Sequence, residues 1–454
     1  MSLRRTLTSG LLAAWSALTL ALPAGNSTHL PTNSVPREHN KTAPVSPPLR
    51  QSQNLITSVT LYGDSLSDIG NVQLLLEILR GSKDPSLIFK PFNASLKYSG
   101  IEKFLNYMGV SNREIKYMEY HFIAAFISVL KKAYKLPVFP DSEYYLGRFS
   151  NGPVWNEWLA QWLGVPVYDK TKYINRAYGG SWAINFMDDI RLRPEHLVED
   201  IKRMIDGKLI PPDLVRLVNA YMAEYPDEVN KEHYPEGGQL FVFLYGGNDY
   251  LNGETDVDKV TERITEQVER TAQYLSKAPS HWPNWITVAN LPPLERAPRY
   301  LEASLAIRQK TRLIIQSHNS LLKKKSEALK TRFEGKVRIR FIDTYRIANE
   351  ELDSGEYANT RDACYNNHLP ALLFGPSPTR AVWPSVSKGA SVKPCKHPED
   401  YAFWDKVHPT AKMHARIAWR VCHEEVFQEM GAACPGTPPD FQNPEAFPPT
   451  AHNP

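Results

Sequence analysis

At 454 residues the chain is long enough to bury a large hydrophobic core, and its balance of 42% hydrophobic to 22% charged residues excludes a fibrous protein. The formal net charge of +4 is small for this length, and the basic residues are scattered apart from short runs such as 323–325. This distribution argues against a nucleic-acid partner.

The first residues have the pattern of a secretory signal peptide. Arg4 and Arg5 precede an apolar run over about 11–22, which ends in a Pro-Ala-Gly stretch. The run is shorter than the roughly 20 residues that span a bilayer, which favours removal over membrane anchoring. We therefore expect residues 1–24 to be a signal peptide, and the protein to be secreted or, in transit, periplasmic.

The main domain is expected to cover 54–434, after a linker at 25–53 that is rich in Pro, Ser, Thr and Asn and is predicted to be disordered. In the domain, short apolar runs alternate with helical patterns, which predicts an α/β protein with a parallel sheet covered by helices. The strand candidates are 56–62, 165–168, 240–245, 285–291 and 337–345, and the longest helical candidates are 299–333 and 256–278.

Two stretches interrupt this alternation, at about 74–140 and 188–236, and are interpreted as insertions. The first contains an unusually apolar run at 122–130, for which a buried helix is favoured over a lid or lipid-facing surface. The Pro-rich tail at 435–454 is expected to be irregular.

All four cysteines lie in the last quarter of the chain. Export would allow disulfides, and sequential pairing of Cys364 with Cys395 and of Cys422 with Cys434 is the simplest of the three connectivities. Metal binding is the alternative, but no Cys-x-x-Cys spacing or histidine cluster accompanies these residues. We expect no metal site.

A candidate nucleophile follows the first strand candidate, in the motif GDSLSDIGN at 63–71. Ser65 is placed where strand gives way to helix, at the sheet edge where open α/β proteins bind ligands. Backbone N–H groups at such a turn can stabilise an oxyanion. A Gly-Asp-Ser triplet alone is weak evidence, because such triplets commonly form ordinary turns.

The second candidate element is the Asp405-Lys-Val-His408 stretch, ahead of a helical pattern at 411–426. An aspartate three residues before a histidine can orient the imidazole through Nδ1, which leaves Nε2 to accept a serine proton. Taken alone, such a pair is more often a helix cap.

Four blocks in order resemble the GDSL or SGNH family of lipases and acylhydrolases. They are GDSLSDIGN at 63–71, NRAYGGS at 175–181, GGND at 246–249 and DKVH at 405–408, supported by GRFSNGPVW at 147–155 and FWDKVHPT at 403–410. The resemblance implies a three-layer αβα sandwich with a flavodoxin-like parallel sheet of about five strands. It is closest to the branch of bacterial secreted phospholipases, thermolabile haemolysins and glycerophospholipid:cholesterol acyltransferases.

Carried over to this chain, the resemblance implies that Ser65 is the nucleophile, His408 the general base and Asp405 its orienting partner. The oxyanion hole would consist of the N–H groups of Ser65 and Gly180 and the side-chain amide of Asn248. Gly179 is the alternative to Gly180. Asp68 and Asn71 are expected to stabilise the turn rather than perform chemistry.

The function implied is a serine esterase that hydrolyses acyl lipids, as a phospholipase A or lysophospholipase A, without a cofactor. A sterol could be an acyl acceptor, and transient contact with a membrane surface would accompany a lipid ester substrate. Two alternatives remain open. One is a carbohydrate acetyl esterase on the same fold, and the other is an exported binding module that has lost catalysis.

Overall fold

Five parallel strands form the central sheet of the protein, in the order β2-β1-β3-β4-β5. The computed structural model describes residues 55–74, 140–184, 212–225, 237–277, 283–366 and 393–439. The strands are β1 (Ile56–Gly63), β2 (Tyr173–Ala177), β3 (Gly238–Leu244), β4 (Asn284–Ala289) and β5 (Arg338–Ile342). The predicted parallel α/β fold is confirmed.

The helices of the described part cover both faces of this sheet. They are α1 (Trp155–Trp162), α2 (Leu214–Glu224), α3 (Gly247–Leu251), α4 (Val257–Leu275), α5 (Pro298–Leu301), α6 (Leu305–Arg332), α7 (Thr344–Leu352), α8 (Ala411–Cys422) and α9 (Glu425–Glu429). Along β3, Phe241 and Phe243 pack with α2, α4 and α6, whereas Leu240 and Val242 pack with α1, α7 and α8. Because neighbouring side chains of a strand point to opposite faces, a strand buried on both sides is apolar throughout.

The order of the strands creates a switch point beside β1. The chain passes from β1 to β2 on one side, and then returns to place β3 on the other side of β1. In open α/β sheets, the crevice at the carboxyl ends of two such strands is the usual ligand-binding position. The turns after β1 and β3 therefore line the same crevice.

The strand predicted at 165–168 is wrong, because these residues follow the end of α1 and lead through a turn. Gly164 has a φ of 75°, Val165 N donates to the Ala160 carbonyl, and Tyr168 is 72% exposed. The true edge strand β2 begins at Tyr173 and contains the polar Asn175 and Arg176, so it lacks an apolar run. Partial burial on an edge removes the signal by which strands are recognised.

The helix predicted at 299–333 is two helices. Ser304 has an extended backbone, and its side chain caps α6 by accepting from Ile307 N. The helical conformation is therefore interrupted between α5 and α6. Serine is favoured at this position because its oxygen pairs an otherwise free N–H group of the first turn.

A small parallel sheet, β6 (Asn359–Ala363) and β7 (Tyr401–Phe403), lies beside the last part of the chain. Disulfides join Cys364 to Cys395 and Cys422 to Cys434. The first bond directly follows β6, and Cys364 N donates to the Phe403 carbonyl. Both pairs follow the sequential connectivity.

Several predicted segments lie outside the described residues: the signal peptide, the linker, the apolar run at 122–130 and most of the tail. Of the second insertion, 212–225 is described, and its helix α2 packs against β1 and α4. None of the helices in the described ranges is both long and apolar enough to cross a membrane.

The core assignment makes a stability prediction. Phe241 is fully buried, so Phe241→Ala should lower the free energy of unfolding by about 3–5 kcal/mol, through lost burial and the cavity left behind. Tyr168→Ala, in the turn wrongly predicted as a strand, should change it by no more than about 0.5 kcal/mol. Denaturant unfolding of both variants measures the difference. Equal losses would contradict the assignment of Tyr168 to an exposed turn.

Candidate active site

Three distant parts of the chain meet at the carboxyl end of the sheet. Ser65 lies in the turn after β1, Asn248 begins the helix after β3, and His408 lies in the loop between β7 and α8. All three side chains are buried, with 5% of Ser65 exposed. The helix after the first strand begins only at Asn71, so Ser65 belongs to the turn itself.

A continuous line of hydrogen bonds joins a serine, a histidine and an aspartate. Ser65 Oγ lies 2.7 Å from His408 Nε2, and His408 Nδ1 lies 2.7 Å from Asp405 Oδ2. Asp405 and His408 are completely buried. The sequence predicted this grouping although 343 positions separate the serine from the histidine.

The Asp405 carboxylate is saturated with donors. Its Oδ1 accepts from the backbone N–H groups of Val407 and His408 at 2.8 Å, and Oδ2 accepts from the Tyr144 hydroxyl at 2.7 Å as well as facing the imidazole. Burial acts to raise the pKa of Asp405, but the neighbouring imidazole and the N–H donors outweigh burial and lower this pKa. The carboxylate is therefore ionised and fixed toward Nδ1.

The GRFSNGPVW block supports the loop that carries His408. The Phe149 ring lies 4.9 Å from the imidazole between centroids, and Ser150 Oγ donates to the Pro409 carbonyl. Asn151 Oδ1 accepts from Ala411 N at 2.7 Å, at the start of α8. A side chain on Gly152 would place its Cβ 2.5 Å from Ala411 Cβ, so only glycine fits this approach. The block thus supports the loop of His408 and the start of α8.

The two glycines of the second block have different surroundings. Gly179 N donates to Asp68 Oδ2 at 2.7 Å, and a Cβ on Gly179 would collide with the Phe149 ring. Gly180 has a φ of 80°, which favours glycine, and its N–H donates to no group of the described residues. The same holds for the N–H of Ser65. Of the two, Gly180 has the N–H that is available to an oxyanion.

Asn248 is oriented by one of its two amide hydrogens. Its Nδ2 donates to the Ser181 carbonyl at 3.0 Å, which leaves the second hydrogen for a ligand. The preceding Gly246 has a φ of 112°, and a Cβ there would lie 2.9 Å from the buried His318 ring. Glycine at this position lets the chain turn sharply from β3 into α3.

Asp68 and Asn71 tie the turn after β1 to its neighbours, as the motif predicted. Asp68 accepts from the N–H groups of Gly70, Asn71 and Val72 and from Gly179 N. Asn71 Nδ2 contacts the backbone of β2, at the Ala177 carbonyl, 2.9 Å away. These bonds fix the strand-turn unit that presents Ser65.

Two polar residues of the site, Asp249 and Tyr144, were not predicted from the sequence. Asp249 Oδ2 accepts from Ala183 N at 2.9 Å and Oδ1 from Ile184 N at 3.1 Å, which connects the third block to the stretch that follows the second. The position of Asp249 within the GGND block could have indicated that it belongs to the site. Tyr144, the donor to Asp405, belongs to none of the matched blocks, and nothing in its sequence surroundings marks it.

A mainly apolar cavity opens beside Ser65 and Asn248 and extends between α7 and α8. In the described residues there is no group of three or more His, Cys, Asp or Glu side chains arranged to hold a metal ion.

The role of Asp249 can be tested by the pH dependence of folding stability. Burial raises the pKa of Asp249 to about 7, whereas the pKa of an aspartate in an unfolded chain is about 3.9. Between these pH values the folded state binds a proton that the unfolded state has lost. The contribution of protonated Asp249 to the free energy of unfolding is therefore fully present below about pH 4 and is lost as the pH rises through about 7.

Asp249→Asn removes this titration. From pH 4 to pH 8, the unfolding free energy of the wild type should fall relative to that of the variant by up to about 4 kcal/mol. Denaturant unfolding of both proteins across this range measures the change. A difference that stays constant with pH would contradict the assignment.

Comparison with known proteins agrees with this geometry. A sequence model described as GDSL-like Lipase/Acylhydrolase matches residues 59–421. Phosphatidylcholine-sterol acyltransferase of Aeromonas hydrophila is 26% identical over 307 residues, which cover 61% of this chain and 79% of that protein. Thermolabile hemolysin of Vibrio parahaemolyticus is 22% identical over 286 residues, which cover 62% of this chain and 56% of that protein, little more than half its length. As the resemblance in sequence motifs predicted, the chain belongs to the family of GDSL-like lipases and acylhydrolases.

Proposed function

We propose that the protein is a secreted serine esterase that hydrolyses acyl esters of lipids, with phospholipase A or lysophospholipase A activity. The observation that carries the proposal is the buried line from Ser65 Oγ through His408 to Asp405, with 2.7 Å at each step. Family membership supports an ester substrate, and the apolar cavity beside Ser65 supports a lipid. The disulfides are consistent with export.

In the proposed reaction, Ser65 Oγ attacks the acyl carbonyl carbon while His408 Nε2 accepts the hydroxyl proton. The oxygen of the tetrahedral intermediate receives hydrogen bonds from Ser65 N, Gly180 N and Asn248 Nδ2. The bond to the alcohol then breaks, and His408 returns the proton to the departing oxygen. Asp405 stabilises the imidazolium and holds its orientation throughout.

The acyl-serine is then released by a second attack. Water loses a proton to His408 Nε2 and forms the carboxylic acid, and Ser65 regains its proton. If a sterol hydroxyl replaces water, the same steps give a sterol ester, the reaction indicated by the name of the Aeromonas relative. We propose this transfer as a second outcome of one acyl-enzyme.

Substitution of the proposed nucleophile tests the function. Ser65→Ala should lower kcat by roughly 10⁶-fold because it removes the attacking oxygen, and Asp405→Asn by roughly 10⁴-fold because it removes the partner that orients His408. Ser67→Ala is the matched control. It removes a buried hydroxyl two positions away that accepts from Trp155 Nε1, and it should leave kcat unchanged.

The substrates for this test are lysophospholipid, diacylphospholipid, p-nitrophenyl acetate and acetylated xylan, each with and without cholesterol. Release of long-chain fatty acid by the wild type and not by Ser65→Ala supports the lipase assignment, and sterol ester formation adds acyl transfer. Activity confined to acetyl esters would favour a carbohydrate acetyl esterase. A wild type that releases nothing would favour a binding module.

The proposed oxyanion hole makes a separate prediction. Asn248→Ala should lower kcat by roughly 100- to 1000-fold with a small change in KM, because the lost bond forms mainly in the transition state. Asn252→Ala is the control: Asn252 lies on the same short stretch, and its amide donates to the Asn248 carbonyl. Equal losses in both variants would point to a structural effect on α3 instead of a missing oxyanion donor.

A further inference from the structure

Tyr144 contacts the carboxylate that orients His408. Its hydroxyl donates to Asp405 Oδ2 at 2.7 Å, and the same oxygen lies 2.7 Å from His408 Nδ1. One carboxylate oxygen therefore faces two groups at once, the hydroxyl of Tyr144 and the imidazole that the proposed reaction uses as general base.

The donors on the other carboxylate oxygen have a different origin. Asp405 Oδ1 accepts from the N–H groups of Val407 and His408, which belong to the same loop and move with it. Tyr144 lies 261 positions earlier in the chain. Its hydroxyl therefore fixes Oδ2 relative to a separate part of the molecule, whereas the N–H groups fix Oδ1 only within the loop.

The ring of Tyr144 is held in place by other aromatic rings. It is 4% exposed, and it meets Phe149, Tyr365 and Trp404 edge-on, with centroid distances of 6.4, 5.7 and 6.1 Å. Such edge-to-face pairs are the favoured geometry for aromatic side chains. Phe149 in turn contacts the imidazole of His408. The hydroxyl of Tyr144 is thus presented to Asp405 from a packed cluster.

A hydrogen bond at this point has a large effect because Asp405 is completely buried. An anion without water depends on its donors, and the loss of one donor to a charged group is costly. Without the Tyr144 hydroxyl, Oδ2 would keep His408 Nδ1 as its one partner in the described part of the chain. The carboxylate would then be held less firmly in the orientation that the imidazolium requires.

We propose that Tyr144 is a positioning residue of the ester reaction, which holds Asp405 Oδ2 at the point from which this oxygen orients His408. The inference rests on the proposed ester hydrolysis at Ser65 and adds to it a residue outside the matched sequence blocks. Tyr144 acts through Asp405. Because His408 transfers a proton both when the acyl-serine forms and when it is released, the hydroxyl contributes to both steps.

Tyr144→Phe removes this hydroxyl and keeps the ring. It should lower kcat roughly tenfold, the equivalent of about 1.4 kcal/mol, with KM unchanged. Tyr365→Phe is the matched control: its ring packs against that of Tyr144, but its hydroxyl donates to Asp141 Oδ2, at 2.8 Å. The control should keep kcat within about twofold of the wild type.

The measurement is kcat and KM for the p-nitrophenyl ester that the wild type hydrolyses fastest. Each kcat is normalised to the folded fraction, which denaturant unfolding gives.

A double-mutant cycle separates positioning from a general effect on structure. In an Asp405→Asn background the hydroxyl no longer has a carboxylate to hold, so adding Tyr144→Phe should lower kcat by less than about twofold. A residue that matters only for packing would cost the same factor in both backgrounds. Where sterol ester is also formed, its ratio to free fatty acid should be the same in Tyr144→Phe as in the wild type, because both products arise through His408.

Four outcomes would overturn the inference while the esterase proposal survives. They are an unchanged kcat in Tyr144→Phe, the same loss in both backgrounds, an equal loss in Tyr365→Phe, and a raised KM with unchanged kcat, which would make the hydroxyl a substrate contact. A wild type inactive toward every ester would overturn the proposed function and this inference together.

Discussion

The Asp405 carboxylate is a charge that the fold holds completely away from water. Such a charge is tolerated only when donors replace its hydration, since the desolvation penalty of an unpaired buried ion is several kcal/mol. Here the donors come from its own loop, from Tyr144 and from His408. Asp405 therefore links the position of the 140–150 stretch to that of the loop after β7.

Other buried carboxylates around the crevice also join neighbouring segments of the chain. Asp68 joins the turn after β1 to Gly179, and Asp249 joins α3 to the stretch after Gly180. Arg148 and Glu157 form a buried ion pair in which Glu157 also accepts from the first turn of α1. Loops that follow parallel strands share no ladder of backbone hydrogen bonds. Hydrogen bonds to buried carboxylates fix the distances between these loops instead.

Much of this arrangement could be predicted from the sequence, because the information was local or was carried by motifs. Strands β1, β3 and β4 are largely apolar, since helices cover them on both faces. The grouping of Ser65, Asp405 and His408 followed from ordered blocks rather than from any one of them. Strand β2 was missed because an edge strand with polar residues has no apolar signature.

Other features depend on tertiary contacts that leave no trace in the local sequence. Tyr144 matters only because the fold brings its hydroxyl to Asp405, 261 positions later. The difference between Gly179, whose N–H donates to Asp68, and Gly180 likewise arises from a contact between distant parts of the chain. The cavity beside Ser65 is lined by residues of both α7 and α8, and the spacing of two helices cannot be predicted from the sequence pattern of either one.

The bond between Cys364 and Cys395 also determines how the protein tolerates damage. These cysteines are 31 positions apart, so their bond closes a loop of residues 365–394. A cut anywhere in that loop leaves the two pieces covalently joined directly beside β7. After such a cut the protein would run as two fragments only on a reducing gel, with the residues around Ser65 and His408 still in one molecule.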